Sequence, residues 1–98
     1  MLEVGDLKLD TAAREVTRAG RTINLTPREH SLLELLMRNA GRVIGRDVIL
    51  ESIWGYDSDV TANNVEVFVR SLRVKVETCE PRLIHTVRGF GYMMKLTS

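Results

Sequence analysis

Residues 61–77, TANNVEVFVRSLRVKVE, form the longest segment with a clear helical pattern and contain neither glycine nor proline. Its apolar residues Val65, Val69, Leu72 and Val76 are spaced four, three and four apart, as on one face of a helix. Many of these residues are β-branched and mildly favour a strand, but the length and the absence of turn residues favour a helix. We therefore predict a helix over 61–77 with one narrow buried seam.

The face of this helix opposite the seam carries polar groups that suit nucleic acid. It comprises Asn63, Val67, Arg70 and Val74, flanked by Asn64, Glu66, Ser71, Arg73 and Lys75. Arginine can bond guanine in a bidentate manner, asparagine can do so with adenine, and an exposed valine can contact a thymine methyl group. Two interpretations stay open for this pattern: a recognition helix in a DNA groove, or an ordinary solvated helix face.

Two helices are predicted upstream of this stretch. The first covers 27–39, because Thr26 can cap it, Pro27 suits the first helical position and Glu29 completes a capping box. Its apolar stripe is Leu32, Leu33, Leu36, Met37 and Ala40, and Gly41 ends it. The second covers 46–53, where Val48, Ile49 and Ile53 are predicted to share a face before Trp54 and Gly55 end the pattern.

Short alternating segments flank the helices on both sides. The first 25 residues alternate polar and apolar positions between breaks at Gly5-Asp6 and Ala19-Gly20, which predicts a small antiparallel meander. Residues 83–88 and 92–96 around Gly89-Phe90-Gly91 predict a β-hairpin. Arg88 lies at its turn, either as an arm that enters a minor groove or as part of a plain edge hairpin.

Composition limits the classes of protein that fit. The chain has 98 residues with 14 Lys+Arg against 13 Asp+Glu, so it is expected to form one domain with only a local basic face. The single cysteine, Cys79, excludes an internal disulfide and suits a reducing compartment. No apolar run approaches the ~18 residues of a membrane span. We expect a cytoplasmic protein.

Three stretches carry a resemblance to a known family. They are 25–30 (LTPREH) with the leucine-rich helix after it, 69–75 (VRSLRVK) and 86–92 (TVRGFGY). Over about residues 2–96 the chain resembles the C-terminal effector domain of OmpR/PhoB-type response regulators. The resemblance implies an α+β winged helix-turn-helix fold, with an N-terminal four-stranded antiparallel sheet, a three-helix core and a C-terminal hairpin wing. One effector domain would then occupy 1–98, with the receiver domain absent from this chain.

The resemblance also implies sequence-specific binding of double-stranded promoter DNA, as the output of a two-component phosphorelay. The recognition helix, about 61–77, would enter the major groove, and Arg88 would point toward the minor groove. The residues that match DNA-contacting positions are Arg46, Trp54, Asn63, Asn64, Val67, Arg70, Ser71, Arg73, Thr86, Arg88 and Tyr92. Asp57 and Asp59 fall in the loop that can touch RNA polymerase in this family. The other implied partners are a second copy in tandem on direct repeats, the receiver domain and a sensor kinase.

Some residues depart from the family pattern, and one other function stays open. Ser71 stands where many relatives carry a basic residue, Phe68 where a polar residue is frequent, and Gly45 replaces a common Ser or Thr cap. Trp54 is interpreted either as a packing residue or as a phosphate contact. The alternative function is a winged helix that binds protein or RNA without DNA specificity. The sequence predicts no enzyme, because it shows no catalytic residues, no metal ligands at matching spacing and no cofactor motif.

Overall fold

The computed structural model describes residues 1–55, 62–78 and 82–96, and for residues 62 and 63 it describes the backbone alone. Within these ranges the chain forms seven strands and three helices. In chain order they are β1 (Leu2–Val4), β2 (Leu7–Asp10), β3 (Glu15–Arg18), β4 (Arg21–Ile23), α1 (Pro27–Arg38), β5 (Val43–Gly45), α2 (Arg46–Trp54), α3 (Ala62–Val76), β6 (Ile84–Val87) and β7 (Gly91–Met94). None of the helices in this part of the chain is long and apolar enough to cross a membrane.

The strands form two antiparallel sheets, and the second sheet includes β5, which lies between α1 and α2 in the sequence. The N-terminal sheet has the order β1-β2-β3-β4, so the predicted meander is confirmed. The C-terminal sheet has three strands in the order β5-β7-β6, one more than the predicted hairpin. Sequence reasoning missed β5, because a strand of three residues is too short to show a period of two.

Local capping explains where α1 begins. The Thr26 side chain accepts from the Glu29 backbone N–H at 3.3 Å, and the Glu29 carboxylate accepts from the Thr26 N–H at 2.9 Å. These two bonds are the predicted capping box, and they satisfy two of the backbone donors that a helix start leaves free. Asn39 caps the other end, and Gly41 follows with φ +88°.

One core joins all layers. It contains Leu7, Leu9 and Val16 from the first sheet, four apolar residues of α1, Ile49 of α2, the α3 seam, and Leu83, Ile84, Tyr92 and Met94 from the C-terminal segment. The predicted buried face of α2 was partly wrong, since Val48 is 50% exposed. Successive helical residues differ by about 100°, so Val48 turns to solvent when Ile49 is buried.

Gly45 is the N-cap of α2, and no side chain there accepts a hydrogen bond from the helix. A Cβ at this position would lie 3.7 Å from the Phe90 carbonyl oxygen, an ordinary contact, and φ of −67° suits any residue. We expect Gly45→Ser to raise the free energy of unfolding by about 0.5 kcal/mol, measured by urea denaturation, because the hydroxyl can cap the helix. Gly45→Ala is the control and should lower stability, so equal stability of the two variants would contradict the capping argument.

Candidate nucleic-acid interface

Helix α3 presents two different faces. The seam residues Val65, Val69, Leu72 and Val76 are at most 1% exposed, so the predicted buried stripe is confirmed. On the other side, Val67 and Val74 are 62% and 74% exposed, and Asn64 and Arg70 are exposed as well. The helix thus lies with a polar and partly apolar face toward solvent.

Two contacts fix the C-terminal end of α3. Arg18, which is fully buried, donates from Nη1 to the Val76 carbonyl at 3.1 Å and pairs with Asp6 at 2.5 Å. Glu77 accepts the backbone N–H groups of Leu83 and Ile84 at 3.0 and 2.6 Å. A cation near the last carbonyls of a helix complements its dipole. These bonds therefore hold α3 at a set position relative to both the first sheet and the hairpin.

A buried carboxylate fixes α3 against α1. Glu29 is 3% exposed and accepts from Lys75 Nζ at 2.6 Å and from Ser71 Oγ at 2.8 Å. Burial by itself raises the pKa of this carboxyl group. The hydrogen bonds from Lys75, Thr26 and Ser71 outweigh that effect and lower the pKa to about 2. Glu29 is therefore ionised at neutral pH and locks the two helices together.

The α3 face meets the C-terminal sheet at a pair of arginines. The guanidinium carbons of Arg46 and Arg73 lie 5.9 and 5.6 Å from the centre of the Tyr92 ring. Arg73 also donates to Thr86 Oγ1 at 2.5 Å, and Arg46 pairs with Glu66 at 2.8 Å. The strand pairing explains the meeting, because Ile44 lies opposite Tyr92 and Arg46 follows two residues later.

The arginine pair borders a shallow cleft with unused donors. The cleft has a volume of about 200 Å³ and is lined by Arg46, Glu66, Val69, Arg70, Arg73, Thr86 and Tyr92. The Nε atoms of Arg46 and Arg73 are buried and have no hydrogen-bond partner within the described part of the molecule. An acceptor such as a phosphate oxygen would satisfy such donors. The cleft can therefore hold an anion beside the exposed face of α3.

The structure brings five of the eleven predicted DNA-contact residues into one cleft, Tyr92 among them. Arg46, Arg70, Arg73 and Thr86 share the cleft, and Arg88 is exposed at the turn of the hairpin. Trp54 lies apart from the cleft lining, half-buried, with its ring 4.9 Å from that of Phe68 and with Arg28 5.6 Å above it. The Asn63 side chain, Asp57 and Asp59 lie outside the described residues.

Two of the predicted DNA-contact residues also make contacts inside the domain. Tyr92 is only 3% exposed, and the guanidinium groups of Arg46 and Arg73 lie over its ring. The Ser71 hydroxyl donates to Glu29, which directs it toward α1. The angular position of a residue on α3 follows from the sequence, but the neighbouring element that receives its side chain does not.

Sequence reasoning did not find the roles of Glu29 and β5 in building this surface. The sequence indicates Glu29 only as part of the capping box, although a carboxylate one turn into an amphipathic helix can also face a neighbouring helix. The Val43-Ile44 pair was a weak sign of a strand, since β-branched residues favour strands. The Glu66–Arg46 ion pair joins α2 to α3 and depends on how the helices cross.

The chain is similar in sequence to proteins named as response regulators. Response regulator MprA of Mycolicibacterium vanbaalenii is 54% identical over 93 residues, which is 94% of this chain and 40% of the relative. The chain thus spans about two-fifths of the length of the curated relatives that it matches. A homologous response regulator MprA of Mycobacterium bovis is 50% identical over 97 residues.

Solved structures with the same fold include a complex with DNA. The Klebsiella pneumoniae RstA DNA-binding domain in complex with RstA box matches with a TM-score of 0.85 and 30% identity, covering 96% of this chain and 95% of that one. The Thermotoga maritima OmpR/PhoB homologue DrrB matches with a TM-score of 0.85 and 34% identity, covering 95% of this chain and 43% of that one. These matches confirm the predicted α+β winged-helix fold.

The chain also matches a known protein family over most of its length. The family described as "Transcriptional regulatory protein, C terminal" matches residues 20–94, from β4 to the last strand. This range contains α3, the arginine pair and the hairpin. The chain therefore belongs to the family of C-terminal domains of transcriptional regulatory proteins, a family of regulators and not of enzymes.

Proposed function

We propose that this domain binds double-stranded promoter DNA in a sequence-specific manner and acts as the output domain of a two-component response regulator. The main support is the pair of arginines, Arg46 and Arg73, that lies over the Tyr92 ring beside the exposed face of α3. The buried Nε atoms of both arginines lack hydrogen-bond partners among the described residues. The RstA domain of similar fold was solved with its DNA box, and the named relatives are response regulators.

The first step of binding is positioning on the backbone. Arg46 and Arg73 offer their guanidinium groups to phosphates, and the ring of Tyr92 holds both at one place. Contacts to phosphate fix the register of a protein on the duplex without carrying sequence information. In the domain without DNA, Glu66 forms an ion pair with Arg46. When DNA binds, a phosphate either displaces the Glu66 carboxylate from Arg46 or binds to another N–H group of the same guanidinium.

The second step is reading of base edges by α3. The helix has 15 residues, about 22 Å of length, and a major groove of ~12 Å width admits a helix. Asn64, Val67 and Arg70 are exposed on this helix, Arg70 also lines the cleft, and we assign base contacts to these three residues. Asn63 and Ser71 keep their predicted contact roles, and the Ser71 hydroxyl, which donates to Glu29, can still accept a hydrogen bond.

The hairpin supplies the third contact. Arg88 is exposed in the turn between β6 and β7, next to Phe90, which is 73% exposed. The narrow minor groove of A·T-rich DNA attracts arginine, so we assign Arg88 to the groove beside the half-site. Thr86 joins the hairpin to α3 through Arg73, which keeps the two contacts at a constant spacing.

The wider role follows from the same assignment. Two copies in tandem on half-sites ~10 to 10.5 bp apart would raise affinity, because each domain offers few base contacts. The polymerase contact by Asp57 and Asp59, the receiver domain and the sensor kinase belong to this proposal on the resemblance alone. A promoter target places the domain in the cytoplasm.

The test is selection of random duplexes by the purified domain, followed by anisotropy titrations on the selected site and on an unrelated duplex. Arg70→Ala and Arg88→Ala should each cost about 1 to 3 kcal/mol on the selected site and much less on the unrelated duplex. Arg46→Ala should weaken both alike and lower the salt slope by about 1, because one phosphate contact is lost.

The matched control is Lys8→Ala, which removes one positive charge from the solvent face of β2. It should leave both affinities unchanged, and thermal melting checks that every variant is folded. Unchanged affinity of Arg70→Ala and Arg88→Ala, or binding without dependence on salt, would contradict DNA reading and favour a module for protein contacts.

A further inference from the structure

A second polar cleft lies away from α3 and the hairpin. It is formed by the turn between β2 and β3, by α1 and by the end of α2, and its volume is about 260 Å³. Its lining is Arg14, His30, Ser31, Glu34, Leu35, Arg38, Ser52 and Ile53. None of these residues belongs to the surface assigned to DNA.

His30 lines this cleft with an unused polar atom. The residue is 6% exposed, and its Nε2 is buried without a hydrogen-bond partner within the described ranges of the chain. Buried polar groups of folded proteins almost always have a partner, so each exception calls for an explanation. An acceptor that enters the cleft would supply the missing partner for Nε2.

The charge of the lining selects an anion. Two arginines, Arg14 and Arg38, face one carboxylate, Glu34, so the lining has one net positive charge apart from His30. Arg38 donates to Glu34 at 3.1 Å and neutralises it, which leaves Arg14 as the charge available to a ligand. The backbone of Arg14 has φ +57°, in the left-handed region that favours glycine. Arg14 therefore has a backbone conformation that a glycine would adopt with less strain.

We propose that this cleft is a docking site for the carboxylate of an acidic side chain on a partner protein. The carboxylate lies beside the Arg14 guanidinium group, and a rotation of the buried His30 ring lets its Nε2–H donate to the carboxylate. The volume of about 260 Å³ is enough for one side-chain carboxylate. Because the cleft is separate from the α3 face, the partner and DNA can bind at the same time.

The test is NMR of the imidazole signals of the two histidines during titration with a capped four-residue peptide that has two central glutamates. A saturable shift of His30 is expected, with His85 of the hairpin unchanged as the internal reference. The peptide with glutamines in place of the glutamates should cause no shift, because it keeps the size and removes the charge.

Arg14→Gly distinguishes the effect of the Arg14 charge on peptide binding from any effect of the substitution on the stability of the fold. This variant should melt at a higher temperature, because the left-handed backbone becomes relaxed, and yet bind the glutamate peptide about two- to fivefold more weakly. In a second set of titrations, inorganic phosphate or acetate replaces the peptide. A His30 shift with phosphate alone would mean a small-ion site, and an equal response to both peptides or to neither would also overturn the proposal. DNA affinity should not change in any arm.

Discussion

Gly91→Ala is expected to lower the free energy of unfolding by about 3 kcal/mol and to weaken DNA binding as well. A Cβ at Gly91 would lie 2.0 Å from the carbonyl oxygen of Ile44 and 2.9 Å from Cα of Gly45. These are backbone atoms of the adjacent strand and cannot rotate away, and φ is +156°. Steric strain in the backbone of a paired strand is one of the few causes by which a single substitution greatly lowers the free energy of unfolding.

The effect on DNA binding follows from the register. Gly91 lies opposite Gly45 where β5 meets β7, directly before Tyr92, and Gly45 directly precedes Arg46. Separating the two strands at this point moves the Arg46 guanidinium away from the Tyr92 ring. Urea denaturation measures the stability, and anisotropy with the selected duplex measures the affinity.

Gly89→Ala is the matched control in the same hairpin. Gly89 has φ +80°, but a Cβ at this position would have no atom of another part of the chain within 4 Å, so only the backbone preference is lost. We expect a cost of about 1 kcal/mol there. Equal losses in the two variants would show that the close approach of Ile44 has no part in holding the strands.

Glu29→Gln is expected to remove about 3 kcal/mol of stability at neutral pH. The native pKa is about 2 against an ordinary value of 4.5, and each pKa unit corresponds to about 1.4 kcal/mol. A lowered carboxyl pKa means that the ionised form stabilises the fold. The contribution is therefore complete above about pH 4.5 and is lost as the pH falls from there through about 2.

The measurement is the free energy of unfolding of both proteins between pH 2 and pH 7. The difference between them should be largest near neutral pH and should shrink toward zero near pH 2, where Glu29 of the original protein becomes protonated. Glu34→Gln is the control on the same helix, since Glu34 is partly exposed and pairs with Arg38, and it should change stability by about 0.5 kcal/mol or less. Parallel pH curves for the two proteins would contradict the assigned role of Glu29.

Much of the fold was readable from local pattern. The capping box at Thr26 and the spacing of Val65, Val69, Leu72 and Val76 predicted α1 and α3 to within about two residues. Turn signals such as Ala19-Gly20 predicted the hairpins, and both residues do have positive φ. Each of these features depends on residues that are only a few positions apart, so each can be recognised in the sequence without knowledge of the fold.

The candidate site was predicted in its residue types and only partly in its roles. The exposed face of α3 with Arg70 follows from the period of a helix. The hydroxyl of Ser71 was expected at the DNA but donates to Glu29, 42 positions earlier in the chain. A side chain at the border of two faces can turn either way, and the partner that decides its direction comes from another element.

Local sequence patterns suffice to predict the three helices, the meander, the hairpin and the polar face of α3, because apolar spacing, caps and turn residues involve positions close together in the chain. The pairing of β5 with β7, the burial of Tyr92 under Arg46 and Arg73, and the enclosure of His30, whose Nε2 has no partner among the described residues, are seen only in the folded chain. Those contacts join residues far apart in sequence, and they form when separate apolar faces are buried together in one core, which no local period specifies.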